Sequence, residues 1–264
     1  MALDALVNAR GSAFLHTDPL RFPRRYIAPH DREAVALLAA LFAYGNVKAM
    51  GDFLERLLSP LGAHPAAALA SGRLPAEPPP YRFQRGEDVR ALLAGVGRTL
   101  RRHGTLEACF ESVRGEPEER LEAFARALRG ACRRASPGLD HLLPLPSAGS
   151  ACKRWRMFLR WVVRPDDGLD LGLWTCLTPA QLLIPVDVHV ARLARALGLT
   201  RRATPDARFA AEATAALARF CPTDPTRYDF ALARLGIAKE CRGRRVERLC
   251  RACSLRPHCA LAGR

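Results

Sequence analysis

The chain has 264 residues, about half of them apolar, enough to bury one large core or two smaller ones. Its 41 lysines and arginines outnumber 26 acidic residues, and the resulting charge of +15 points to a polyanionic partner, phosphate backbones being the commonest. No apolar run approaches the roughly 18 to 20 residues of a membrane span, and the opening Met-Ala-Leu-Asp lacks the pattern of a secretion signal. A cytoplasmic protein is expected, one in which clustered cysteines are metal ligands rather than disulfides. Among the basic residues only Lys48, Lys153 and Lys239 are lysines. The preference for arginine accompanies a high alanine content and carries less weight than the net charge.

The expected elements are helices. Asp31 is suited to cap a helix whose apolar face holds Ala34, Leu37, Leu38 and Leu41. A second helix follows Asn46 and runs through Phe53 and Leu57. Residues 59–83, with Pro60, Pro65, Pro75 and the run Pro78 to Pro80, read as a loop or linker. Helical spacing resumes over 87–102, 106–113 and 117–132. After the Gly149-Ser150 break, Trp155, Phe158, Leu159 and Val162 form an apolar stripe, and Val186, Val190, Leu193 and Leu197 form another. Thr204-Pro205 and Asp224-Pro225 each join a capping side chain to a proline suited to a first helical position. Gly236 is placed to close the last long helix. No alternating strand pattern and no internal repeat stand out, so the fold class is all-α.

Four of the nine cysteines fall near the C-terminus as Cys241, Cys250, Cys253 and Cys259, a C-x8-C-x2-C-x5-C pattern. Four thiolates this close can enclose one tetrahedral zinc or one iron–sulfur cube, and spacing alone does not separate the two. The other five are scattered, as small buried side chains are. Arg242, Arg244, Arg245, Arg248, Arg251 and Arg256 lie in the same stretch, suited to phosphate contact or to plain solvation.

Two further segments carry chemistry. In Leu145-Pro-Ser-Ala-Gly149-Ser150-Ala-Cys-Lys153-Arg154, a glycine lets the backbone approach a phosphate, and the amides of the helix start behind it can bind one. Ser150 can cap that helix, which puts Lys153 in its first turn. There the helix dipole and the neighbouring Arg154 and Arg156 oppose a further positive charge, a setting that suits an amine nucleophile. The alternative is a phosphate-binding lysine on a basic stripe with Arg156, Arg160 and Arg164. In Pro185-Val-Asp187-Val-His189-Val, Asp187 immediately precedes a helix. It can be a plain N-cap, or a carboxylate aimed at a developing cation, or both. His189 is suited to a phosphate contact or to the helix face.

These residues carry a resemblance. Pro-Val-Asp-Val-His is similar to the stretch bearing the essential aspartate of the helix-hairpin-helix DNA glycosylases, and Leu-Pro-x-x-Gly followed by a helix is similar to their hairpin. The cysteine loop resembles the C-x6-C-x2-C-x5-C loop of the endonuclease III branch, which holds a [4Fe–4S] cluster; here the last two gaps match and the first is two residues longer. The hairpin lysine lies farther from the glycine, and farther from the aspartate, than in the commonest pattern. That long interval looks more like the archaeal 8-oxoguanine glycosylases. The run from Gly-Ser-Ala-Cys-Lys-Arg through Phe-Leu-Arg-Trp to Pro-Val-Asp-Val-His is more similar still to a bacterial family known only as a domain of unknown function. That likeness spans roughly residues 18–264 and includes Asp18-Pro19 and Tyr44-Gly45-Asn46.

The resemblance implies two helical subdomains flanking a DNA groove. Residues 31–153 would form one; residues 1–30 with 154–264 would form the other, its cluster loop at 241–259. It further implies a monomeric bacterial repair enzyme, working at the nucleoid on double-stranded DNA that contains a damaged base or an abasic site. Lys153 and Asp187 would be catalytic. Tyr44, Gly45, Asn46, Gly149, Ser150, Arg154 and His189 would contact DNA, Tyr44 to Asn46 lying where glycosylases fill the gap left by an extruded base. Asp170 and Trp174, in the interval before Asp187, would line the base pocket. The expected reaction is excision of an oxidised purine such as 8-oxoguanine, with strand nicking through a lysine Schiff base. A monofunctional glycosylase and a non-catalytic iron–sulfur DNA-binding module are the alternatives.

Overall fold

A computed structural model describes residues 2–261. In chain order the α-helices are α1 (Ala2–Ala9), α2 (Pro29–Leu41), α3 (Val47–Leu58), α4 (Pro65–Ser71), α5 (Gly86–His103), α6 (Leu106–Glu111) and α7 (Pro117–Cys132). Then come α8 (Pro137–Leu142), α9 (Lys153–Val163), α10 (Val188–Ala196), α11 (Ala207–Ala218), α12 (Asp229–Ile237) and α13 (Glu247–Arg251). Short 3₁₀ turns connect several of them. Among the described residues the only extended pairings are two isolated bridges, Tyr81 with Gln84 and Ser150 with Asp206, so the protein is all-α.

The chain divides into two compact units. One gathers residues 1–14, 149–160 and 178–264; the other gathers 15–148 and 161–177. The chain thus passes between units inside α9. These boundaries are not those expected at 30/31 and 153/154. Residues 15–30 stay with the larger unit because Leu20 and Phe22 are fully buried there and Arg24 ties down the 166–170 turn. Arg24 Nη1 donates to the carbonyls of Leu169 (3.1 Å) and Asp170 (2.8 Å), and its Nη2 to Asp166 (3.1 Å).

In the larger unit α2 is buried along almost its whole length, from Ala34 to Leu41, and α4, α5 and α7 build the rest of the core with it. The packing is close where glycine allows it. A Cβ at Gly97 of α5 would strike the backbone carbonyl of Leu69 on α4. One at Gly95 would lie 2.7 Å from Cys132 Sγ on α7. Asp31 does not cap α2. Pro29 occupies the first turn after Ala28, and the Asp31 carboxylate instead accepts the Ala66 N–H (2.8 Å) at the start of α4. The proline-rich stretch 59–83 is likewise not a linker throughout, because Pro65 opens α4 and buries Ala66, Ala68 and Leu69.

In the smaller unit Val190, Leu193 and Ala194 of α10, Phe209, Ala213 and Leu217 of α11, and Ala231, Leu232 and Leu235 of α12 make one core with Leu3 and Leu6 of α1. Gly236 lies within α12 rather than after it. A Cβ there would sit 2.5 Å from His189 Cβ, so the missing side chain lets α10 and α12 touch. Asp206, two residues beyond the expected cap Thr204, caps α11 by accepting the Phe209 N–H (2.8 Å). Asp224 makes no side-chain cap; Pro225–Tyr228 is a 3₁₀ turn that leads into α12.

Candidate active site and cysteine loop

The Gly149 turn is built from backbone conformation. Gly149 has φ +78°, a left-handed angle that disfavours any other residue, and nothing lies within 4 Å of where its Cβ would be. Its carbonyl accepts the Ala207 N–H (3.1 Å), and Ser150 bridges Asp206, which anchors the turn to the start of α11. Ser150 Oγ accepts the Cys152 N–H (3.2 Å), one residue short of the cap expected for the helix proper. Cys152, buried at 1 % exposure, also takes a positive φ (47°). Lys153 then opens α9, half-buried, with Arg154 beside it.

The three arginines expected as a surface stripe behind Lys153 are buried instead. Arg156 Nε donates to the Ala151 carbonyl (3.0 Å). Arg160 pairs with Asp229, and Arg164 pairs with Asp170 and Asp167. Trp155, Phe158, Trp161 and Val162 are buried as well, so α9 is enclosed around most of its circumference. Buried charges need partners, and Arg160 and Arg164 have carboxylates while Arg156 has a backbone carbonyl, so all three are tied internally.

Asp187 is the N-cap of α10. One carboxylate oxygen accepts the backbone N–H groups of both His189 (2.8 Å) and Val190 (2.7 Å). Asp187 is half-buried between buried Val186 and exposed Val188. The same apolar cluster contains Val186 and Val190 on either side of it and Ala151 just before Lys153. Both helix starts are therefore rooted in one core. His189 packs under Gly236, and its Nδ1 is buried with no partner among the described residues.

Asp170 and Trp174, expected in a base pocket, are interior residues of the larger unit, 0 % and 4 % exposed. Arg164 holds the Asp170 carboxylate. The Trp174 indole N–H donates to Glu33 (2.6 Å), and its ring packs 5.3 Å from Phe110 and 6.3 Å from Phe124. Glu33 also accepts the Leu106 (3.0 Å) and Glu107 (2.9 Å) N–H groups. Burial pushes the Glu33 carboxyl above its usual range, against the pull of these donors. Neither Asp170 nor Trp174 has an open face for a base.

In the larger unit Tyr44, Gly45 and Asn46 form a turn into α3. Asn46 caps α3 through the Ala49 N–H (3.1 Å), Gly45 has φ +87°, and the Tyr44 carbonyl accepts the Tyr81 hydroxyl. Beside them stands a residue the sequence reading missed. Phe83 is 60 % exposed, parallel to Tyr44 at 6.3 Å, with His141 edge-on to both rings. Arg82, at φ 51°, sets its guanidinium 5.5 Å from the Phe83 ring. Phe83 sits at the end of the proline-rich stretch, where no periodicity marks it.

Cys241, Cys250, Cys253 and Cys259 all line one small cavity of about 40 Å³, with Leu249 and Leu261. The Gly243 N–H approaches Cys241 Sγ (3.5 Å) and the Val246 N–H approaches Cys250 Sγ (3.4 Å), so two of the sulfurs accept backbone hydrogen bonds. Among the described residues no group of three or more His, Cys, Asp or Glu is set to hold a single metal ion. The donor set nonetheless fits a group bound by four sulfurs around a shared space. All six arginines of the loop are exposed, and no described helix is long and apolar enough to cross a membrane.

A family profile described as protein of unknown function (DUF2400) matches residues 18–238. No curated protein and no solved structure matches the chain.

Proposed function

This chain belongs to the DUF2400 family, and we propose that within it the protein is a DNA glycosylase that removes a damaged base and nicks the strand. The observation that carries the reading is the pair of helix starts in the smaller unit. Lys153 opens α9 and Asp187 caps α10, and the residues beside both belong to one apolar cluster.

Lys153 Nζ is the nucleophile. It attacks C1′ of the damaged nucleotide as the N-glycosidic bond breaks and the base departs with the bonding pair. Opening of the sugar ring leaves a Schiff base to Lys153. Loss of a C2′ proton then expels the 3′ phosphate by β-elimination. Asp187 supplies negative charge near the oxocarbenium-like centre, and the two backbone N–H groups fix where that charge sits. Gly149 and Ser150, in the turn before α9, contact the DNA backbone; with α8, the 3₁₀ turn at Pro146–Ala148 and α9 they supply the sequence of elements that a helix-hairpin-helix requires. Arg154 and His189 add phosphate contacts. Tyr44, Gly45 and Asn46, now joined by Phe83, meet the bases around the lesion. Cys241, Cys250, Cys253 and Cys259 hold a [4Fe–4S] cluster, which when bound ties the C-terminal segment into a fixed shape. Zinc is the alternative; the likeness of the loop to that of the endonuclease III branch is what favours the cube.

The test is a panel of duplexes, each with one lesion, scored for free base. The wild-type chain is expected to release an oxidised purine, 8-oxoguanine first among them. Asp187→Asn should keep the fold, since asparagine can still cap α10, and slow release by about a hundredfold, roughly 3 kcal/mol of transition-state stabilisation. Full activity in Asp187→Asn, or no release from any lesion, would refute the reading.

A further inference from the structure

A further cavity, inside the larger unit, is lined by none of these residues. It measures about 570 Å³, within the range of small-molecule sites, and is formed by the last turns of α5 and α7 with α6. Arg98, Arg101, Arg102, His103, Arg126 and Arg133 line it, and no carboxylate does. Cationic side chains at helix C-termini offset the helix dipole, and Arg101, Arg102 and His103 in the last turn of α5 do so. That role does not require two helices to turn five guanidinium groups onto one concave surface.

The neighbours do little to neutralise these charges. Arg98 and Arg101 donate to backbone carbonyls, of Ala131 and Cys132 and of Ala70 respectively. Arg126 pairs with Glu122, a carboxylate it shares with Ser147. The side chains of Arg102 and Arg133 make no hydrogen bond or ion pair with another described residue. Cys109, on the cavity wall, is 2 % exposed, and burial pushes its thiol up to about 11, so it adds no negative charge. Burial and the neighbouring Arg133 and Arg101 hold the Arg98 guanidinium below its usual value, which marks crowding of like charge. Arginines converging on a concave surface match the geometry of phosphate oxygens. No phenylalanine, tyrosine or tryptophan lines the cavity to stack on a base.

We propose that this arginine-lined cavity binds closely spaced phosphate groups, either of a free oligophosphate or of a nucleic-acid backbone. The proposal is independent of the glycosylase reading and uses none of its residues.

Gly130 of α7 provides the test. It lines the cavity, and nothing lies within 4 Å of where its Cβ would be, so a side chain can be added without a clash. Gly130→Glu introduces a carboxylate, and Gly130→Gln is the neutral control of equal size. Binding of inorganic tripolyphosphate to the full chain is measured by calorimetry at ionic strength matched with chloride, alongside sulfate. The wild type should prefer tripolyphosphate to sulfate by at least tenfold. Gly130→Glu should weaken it tenfold or more, while Gly130→Gln stays within about threefold. Ligand-induced hydrogen-exchange protection over residues 98–103 and 126–133 of the wild type should locate it independently of any variant. The same variants titrated with undamaged duplex then separate the two sources. A matched loss of DNA affinity in Gly130→Glu assigns the cavity to a DNA phosphate track; unchanged DNA affinity assigns it to a free oligophosphate. Equal binding of sulfate and tripolyphosphate, protection elsewhere, or equal affinity in both variants would overturn the proposal.

Discussion

Single residues divide into those whose surroundings are local and those whose partners are distant in the chain. Asp187 was legible because a cap is decided by the next three residues, and the structure gives it two amide donors where the sequence puts the helix start. Asp31 has the same capping chemistry, but its partner, the Ala66 N–H, is far along the chain and nothing local announces it. Trp174 misled for the same reason, since its partner Glu33 lies far back in the chain; Asp170 misled although Arg164 is close in sequence, because nothing local shows that both are buried in the larger unit. Glu33 yields a prediction at this scale. Burial raises its carboxyl in the folded state, so its proton is held more tightly folded than unfolded. Its contribution to stability is therefore fully present below the ordinary carboxylate range and is lost as pH rises through the raised value. Against Glu33→Gln, which cannot titrate, the wild type should lose stability as pH rises from the ordinary carboxylate range. Urea unfolding followed by tryptophan fluorescence at several pH values measures the difference. A gap between the two proteins that stays constant with pH would contradict the assignment.

Helices were legible where one face is apolar and a turn punctuates each end, as for α3, α5 and α7. Proline concealed α4, because Pro65 starts that helix while belonging to a stretch that reads as irregular. Gly236 looked like a helix end but is a packing glycine, a role set by His189 on another element. The cysteine loop depends least on helical periodicity. Its one helix, α13, spans only Glu247–Arg251 and buries no residue, although Leu255 nearby is 4 % exposed. So little apolar burial does not order a loop without a cross-link. Cys250→Ser is expected to remove the yellow-brown colour and the iron of the purified protein and to strip hydrogen-exchange protection from residues 241–261, leaving α10 to α12 protected by their own core. A colourless wild-type protein holding one zinc per chain would replace iron by zinc and keep the structural role. Unchanged protection in Cys250→Ser would remove that role.

At the scale of the molecule, the all-α class followed from composition and spacing, but the division of the chain did not. Segments 149–160 and 161–177 fall in different units within one helix, and no change of composition marks the point. The arginine stripe on α9 read as surface charge because its carboxylate partners, Asp229 and Asp170, cannot be paired with it from spacing alone. The net charge survives that correction, since the arginines of the cysteine loop and several of those lining the α5–α7 cavity are exposed. The proposed reaction turns on one covalent bond, between Lys153 and C1′ of a damaged nucleotide. Borohydride added during reaction with a duplex carrying an excised lesion or an abasic site reduces a Schiff base to a stable protein–DNA adduct, visible as a shifted band on a denaturing gel. The wild-type chain should give the adduct, and Lys153→Gln should give none while binding the duplex within a few-fold of wild type, because one cationic contact among many is lost. An adduct formed equally well by Lys153→Gln, or no adduct from the wild type on a duplex that it demonstrably nicks, would contradict the account.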